Sequence, residues 1–266
     1  MNESRWVRIG LRVMTALALA FIYVPLLILA IYAFNDSRSQ VWPPPGFSFR
    51  WFAEAAGNGP VREAFLTSVL AAAGATAVAL VLGTLAALGV ARHRFFGREA
   101  ISFLLVLPIA LPGVLTGIAL AATFKTLGVD FGLPTVIVGH ATFCVVIAYN
   151  NVAARLRRLP HSTEEASSDL GADTWQTFRR VLLPGIRTAL LSGGLLAFAL
   201  SFDEVIVTNF TAGPGTETLP LWIFGAIQRP REVPVVNVVA LVLIFLSVVP
   251  VYIAERVSGA ESAAVR

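Results

Sequence analysis

Residues 155–185 read RLRRLPHSTEEASSDLGADTWQTFRRVLLPG and lie between two apolar runs, 134–154 and 186–210. This is a polar island in a chain that is 56% hydrophobic and 14% charged, with mean hydropathy +0.76. Soluble domains carry about 45–50% apolar and about 25% charged residues, so the flanks require lipid and the island requires water. A connector between apolar helices needs only a few residues, and loops beyond about 12–15 residues are functional or disordered. This one carries helix signals. Ser162-x-x-Glu165 has the capping-box spacing, Ala166 and Leu170 share a face at i, i+4, and Gly171 can end the helix. Asp173-x-x-Gln176 repeats the spacing. Trp175, Phe178 and Leu182 form one apolar face, and Pro184-Gly185 stops the second helix. Two short helices about a glycine hinge predict a compact knob in the cytosol whose apolar stripe is a docking surface.

Working outward from the knob, a spanning helix needs about 20 mostly apolar residues. Six stretches qualify: Val13–Phe34, Phe65–Ala91, Ile101–Phe124, Pro134–Ala154, Ile186–Phe210 and Val235–Ala254. The first follows Arg5, Arg8 and Arg12, but its apolar run exceeds a signal-peptide core, so it reads as a retained anchor. Placing the N-terminus inside puts 14 arginines on the inner side and six basic residues on the outer. That asymmetry orients the chain N-in and C-in. It also accounts for the net charge of +4 and the pI near 9.8 without nucleic acid. The single cysteine, Cys144, excludes a disulfide scaffold.

The outer loop 35–64 holds Trp42, Pro43-Pro44-Pro45, Phe47, Phe49, Trp51 and Phe52, a density of rings that suits an interfacial collar. The third span contains Pro108, Pro112 and Gly113, which predicts a kinked helix shielded by its neighbours. In the fifth, Asp203 and Glu204 are acidic where a charge costs about 2.5–3.5 kcal/mol, so they face a bundle interior or water. Read as one continuous helix, Ser201, Glu204 and Thr208 form a polar line while Asp203 points about 100° away. Two roles fit the pair: a structural network tying down the outer end, or a site that attracts a cation. Phe202, Trp222 and Tyr149 offer candidate cation–π faces, though aromatics in spans commonly pack. His140 and Cys144 stand at ligand-like i, i+4 spacing, but two residues do not complete a metal site, and helix packing is the plainer reading. Asn150-Asn151 suits interhelical hydrogen bonds. No catalytic constellation is present in the sequence.

The run Glu165-Ala166-Ser167-Ser168-Asp169-Leu170-Gly171, nine residues, then Val181-Leu182-Leu183-Pro184 resembles the EAA loop of permease subunits of binding-protein-dependent ABC importers. The family pattern is Glu-Ala-Ala, three residues, Gly, nine residues, Ile-x-Leu-Pro. Ser167 and Val181 are the departures, and the spacing is intact. Leu111–Gly117, Gly139–Cys144, Ser201–Thr208, Leu219–Ile223 and Val236–Ala240 are similar to the PotC-like spermidine/putrescine permease group of that family. The resemblance implies an all-α polytopic membrane protein with the six-helix type I (MetI-like) fold, in a bacterial inner membrane. It implies an N-terminal region 1–60, a permease core 61–256 holding loop 155–185, and a tail 257–266. It further implies that Glu165, Ala166, Ser167, Leu170, Gly171 and Pro184 couple to an ATPase. On the same grounds Ser201, Phe202, Asp203, Glu204, Thr208 and Trp222 belong to the substrate pathway. The implied partners are a homologous second permease, two ATPase subunits and an extracytoplasmic solute-binding protein. Polyamines are the first substrate choice, with 4-aminobutyrate, thiamine and ferric iron as alternatives. The sequence lacks a Gly-x-x-x-x-Gly-Lys-Ser/Thr loop, so ATP and Mg belong to a partner chain and this chain is expected to need no cofactor of its own. The rival readings are an ion-coupled secondary transporter, which would show internal inverted repeats, and a scaffold without transport activity. No clear repeat relates the two halves.

Overall fold

The structure, a computed structural model of the chain, describes residues 5–93 and 95–264. Arg94 and Arg266, counted above among the inner-side arginines, lie outside the described residues. The described residues are helical apart from turns and one isolated antiparallel bridge between Asn35 and Phe47. Among the described residues five helical stretches are long and apolar enough to cross a bilayer: α1 (Arg5–Ala33), α3 (Gly59–Arg92), α6 (Leu133–Leu156), the continuous stretch Thr174–Phe202 and α12 (Val233–Ala264). At about 1.5 Å per residue each exceeds a ~30 Å hydrocarbon core. A short helix, α2 (Arg50–Gly57), separates α1 from α3.

The third crossing is not one kinked helix. It consists of α4 (Arg98–Ala110) and α5 (Gly113–Thr126), with Leu111 extended between them at φ −80° and ψ 140°. The cause is Pro112, whose ring excludes the helical conformation for the residue before it. Its carbonyl then accepts the Leu115 and Thr116 N–H groups, which restarts the helix.

The contacts divide the chain into two units. One comprises Met1–Arg62 with Ile223–Ile244, the other Glu63–Trp222 with Phe245–Arg266. In the first unit the outer loop is organised around Trp51, which is fully buried. Its indole Nε1–H donates to the Asn35 carbonyl at 2.7 Å, and the Arg50 guanidinium lies 4.1 Å from the ring centroid. Trp51 therefore leaves the expected interfacial collar, because a buried indole needs an acceptor and Asn35 supplies one. Trp42, Phe47 and Phe49 remain exposed, as a collar requires.

In the second unit α6 is the central post. It packs against α9 (Leu183–Phe202), α4, α5 and α10 (Ile206–Thr211). Toward its inner end Tyr149, Val152, Ala153 and Leu156 join Ala87, Leu182 and Ile186 in one apolar cluster. Further out Phe143, Cys144 and Ala148 meet Ala79, Ala197 and Val207. Small residues let the backbones approach, as lipid-embedded packing requires. A side chain at Gly83 would bring its Cβ to 2.8 Å from both Ala148 Cβ and the Tyr149 backbone nitrogen. Backbone cannot yield as a flexible side chain does. Gly83→Val is expected to destabilise the bundle by about 1–3 kcal/mol, read as a lower thermal midpoint of the detergent-solubilised protein. An unchanged midpoint would show that α3 and α6 are not this close.

Candidate functional site

The knob forms as two helices, but their ends are made differently from the sequence expectation. The first, α7, spans Ser162–Asp169, and the Ser162/Glu165 capping box is absent. His161 is already helical and its carbonyl accepts the Glu164 and Glu165 N–H groups, so Ser162 sits inside the helix where it cannot cap. Gly171 does end it, at φ +81°. The Ala172 N–H reaches the Ser167 carbonyl at 3.1 Å and the Gly171 N–H reaches Ser168 at 2.9 Å. This pair of bonds is a Schellman closure, which favours glycine at its left-handed position. The second box is made as expected: Asp173 Oδ1 accepts the Gln176 N–H at 2.8 Å and opens α8 (Thr174–Thr177).

Pro184-Gly185 does not stop the second helix. A π-helical turn, Phe178–Leu182, carries α8 directly into α9, so Thr174–Phe202 is one continuous rod. Proline lacks the N–H that an α-helix would direct at residue 180. The wider turn absorbs this, with the Leu183 N–H bonding to the Phe178 carbonyl five residues back. The apolar face is graded along the rod: Leu182 is buried, Phe178 half-buried and Trp175 66% exposed, stacked on Phe178 at 5.6 Å. Leu170 at the tip of α7 is 90% exposed.

What anchors α7 is a pair that sequence reading missed. Arg92, the last residue of α3, ion-pairs with Glu164 in the first turn of α7 at 2.6 Å, with both side chains mostly buried. Each charge also complements its own helix dipole, the cation at a C-terminus and the anion at an N-terminus. The signal is in the sequence, since Arg92 is the basic residue in the last turn of α3, but by itself it speaks only to orientation. Between α3 and the knob lies a cleft of about 1010 Å³ whose lining includes Leu88, Arg92, Glu165, Asp169 and Trp175.

The fifth span departs furthest from expectation. It is broken: α9 ends at Phe202, residues 203–205 are non-helical, and α10 begins at Ile206. The polar line of Ser201, Glu204 and Thr208 on one helix does not exist. Glu204 instead turns back, and its Oε1 accepts the Val207 N–H at 2.9 Å, capping α10. Ser201 and Thr208 are nonetheless brought together, by a residue from α6. His140 is fully buried, with Nδ1 2.8 Å from Ser201 Oγ and Nε2 2.8 Å from Thr208 Oγ1. Thr135, also on α6, donates to the Thr211 carbonyl at the far end of α10. Asp203 is exposed, and its carboxylate takes no hydrogen bond or ion pair among the described residues. Phe202 packs against Phe65 and Phe198, and Trp222, on α11 (Leu219–Ala226), is buried, so both rings are covered. Among the described residues no group of His, Cys, Asp or Glu is arranged to hold a metal ion.

A family described as "binding-protein-dependent transport system inner membrane component" matches residues 79–259. The chain belongs to that family. It is a permease subunit of an importer in the inner membrane. It is 37% identical over 240 residues to the putrescine transport system permease protein PotI of Escherichia coli K12, covering 87% of this chain and 84% of the relative. It is 32% identical over 240 residues to the spermidine/putrescine transport system permease protein PotC of Haemophilus influenzae, covering 90% and 92%. Its fold matches a chain of a bacterial ABC transporter that imports the acidic polysaccharide alginate, with TM-score 0.74, 15% identity and 95% of each chain covered.

In this permease the matched region takes in both the knob and the broken span. The sequence-derived coupling residues Glu165, Ala166, Ser167, Leu170 and Gly171 cluster on α7 and its closure, with Ser167 Oγ 3.0 Å from Thr177 Oγ1 on α8. Pro184 stands apart from them beyond the π-turn, in the first turn of α9.

Proposed function

We propose that this permease subunit passes polyamines inward, pairing with a homologous permease so that the pathway runs between the two. Two ATPase subunits dock on the knobs, using Glu165, Ala166, Ser167, Leu170 and Gly171, with Pro184 fixing how the knob joins the bundle. A solute-binding protein delivers substrate from outside. ATP with Mg acts in the ATPase subunits, and closure of their dimer moves the knob as a rigid body. This is alternating access through a two-state bundle.

The observation that carries the substrate reading is Asp203, an exposed carboxylate with no partner in the described chain at a break in a membrane-spanning segment. Carboxylates recognise ammonium groups by charge-assisted hydrogen bonds. A carboxylate held at membrane depth marks a bundle interior or a watered path rather than lipid. The names of the two relatives point to the same substrate class.

The test is to co-express the chain with the permease and ATPase subunits encoded beside it and reconstitute the complex with its binding protein. Uptake of labelled putrescine and spermidine into ATP-loaded proteoliposomes is then measured. ATP-dependent uptake, unaffected by collapsing the proton gradient and uncompeted by 4-aminobutyrate or thiamine, is expected. Uptake that follows the proton gradient, or preference for a competitor, would overturn the reading.

A further inference from the structure

Each hydroxyl has one proton to give, and a neutral imidazole has one donor and one acceptor. The Thr208 hydroxyl donates to the Glu204 carbonyl at 2.8 Å. That carbonyl accepts no backbone N–H among the described residues, so donation from Thr208 satisfies it. With its proton on the Glu204 carbonyl, Thr208 Oγ1 is left to accept from His140, an arrangement that favours the proton on Nε2 over Nδ1. In that arrangement the Ser201 hydroxyl donates to Nδ1. The chain runs in one direction: Ser201 to His140 to Thr208 to the Glu204 carbonyl.

We propose that His140 is a positioning residue for transport. As the neutral Nε2–H tautomer it carries a one-way hydrogen-bond chain that clamps both sides of the break in the fifth span and holds the 203–205 turn. Imidazole suits the task because its two nitrogens face opposite ways and meet one hydroxyl before the break and one after it. Ser201 is the second-last residue of α9 and Thr208 is the third of α10. The clamp fixes the two residues before Val205 by different means: Glu204 through its carbonyl and its cap on Val207, and Asp203 through the chain geometry between Ser201 and Glu204. Packing alone would not need this directionality, and an aromatic carbocycle would fill the same space. The role in transport rests on the reading of Asp203 above, whereas the clamp itself does not.

The test uses the assembled complex in lipid with ¹⁵N-labelled histidine, the His140 signal being assigned by its loss in His140→Phe. Solid-state NMR is expected to show the neutral Nε2–H tautomer. Thr208→Val keeps the shape and removes the acceptor, and Thr208→Ser keeps the hydroxyl. A spin label on Asp203→Cys is expected to be immobilised in the otherwise unaltered protein and with Thr208→Ser, and mobilised with Thr208→Val. Uptake with Asp203 intact should fall about tenfold in Thr208→Val and recover in Thr208→Ser, the scale of one lost buried hydrogen bond. An Nδ1–H tautomer, an imidazolium, or a Thr208→Val complex with an immobilised label would overturn the clamp. Normal uptake in Thr208→Val despite a mobilised label would overturn its role in transport. Full uptake by Asp203→Asn would overturn the substrate reading instead, and it leaves the NMR and label results standing.

Discussion

Asparagine at position 203 is expected to cut polyamine uptake about tenfold while leaving subunit assembly and ATPase docking intact. In bulk water an exposed carboxylate contributes only ~0–1 kcal/mol to holding a cation. Where water is confined, a hydrogen bond to a charged group is worth about 1.5–3 kcal/mol, and 1.4 kcal/mol is a factor of about ten. Asp203 has no structural duty to lose, since its carboxylate bonds to nothing in the described chain. Glu204 is its internal control: Glu204→Gln keeps a side-chain oxygen for the Val207 N–H, so its uptake should stay within about twofold, the scatter of a surface change of ~0.5 kcal/mol. Transport assays that rank Glu204→Gln below Asp203→Asn would remove Asp203 from the pathway.

Valine at position 171 should separate ATP hydrolysis from transport. Gly171 sits at φ +81°, and a Cβ there would meet nothing within 4 Å. The effect is therefore conformational rather than steric. The left-handed region costs an L-residue about 1–2 kcal/mol, more when β-branched. Escaping that cost breaks the closing bonds from Ala172 to Ser167 and from Gly171 to Ser168, so α7 frays and the exposed Leu170 is re-aimed. A rigid docked helix transmits motion and a frayed one does not. We expect transport by Gly171→Val to fall about tenfold with ATPase activity retained. Gly171→Asn, which tolerates the left-handed region, should stay near normal. The measurement is the ratio of solute moved to ATP hydrolysed, and an unaltered ratio in the valine variant would count decisively against coupling at α7.

Much of this arrangement was legible in the sequence. Apolar length located the crossings, and capping chemistry located the second knob helix because Asp173 and Gln176 act only on their own helix end. The failures have two causes: adjacent backbone overruled two local signals, and partners distant in the chain made the third feature. Ser162 has the spacing of a cap, but His161 occupies the cap position and Ser162 is the first residue of the helix. Pro184 looked like a terminator, but a π-turn absorbed it. The periodicity through Asp203 read as one helix because nothing nearby announces the break. The residue that clamps it, His140, lies 61 positions before Ser201. From sequence alone His140 reads as packing, because a lone histidine between apolar neighbours does not reveal which hydroxyls it will meet.

The π-turn at Phe178–Leu182 also fixes a rotational phase. An α-helix advances about 100° per residue, so in an unbroken α-helix the face α8 offers the cytosol would dictate the face α9 offers the bundle. A wider turn inserts the equivalent of one extra residue, and the two faces are then indexed separately. Trp175 can look outward to the cytosol while Ile186 and Ala189 look inward, on one continuous rod that remains stiff enough to carry a push. The face of α8 that carries Trp175 and the face of α9 that meets α6 are thus set at an angle that an unbroken α-helix would not give, like two cams keyed at different angles on a common shaft.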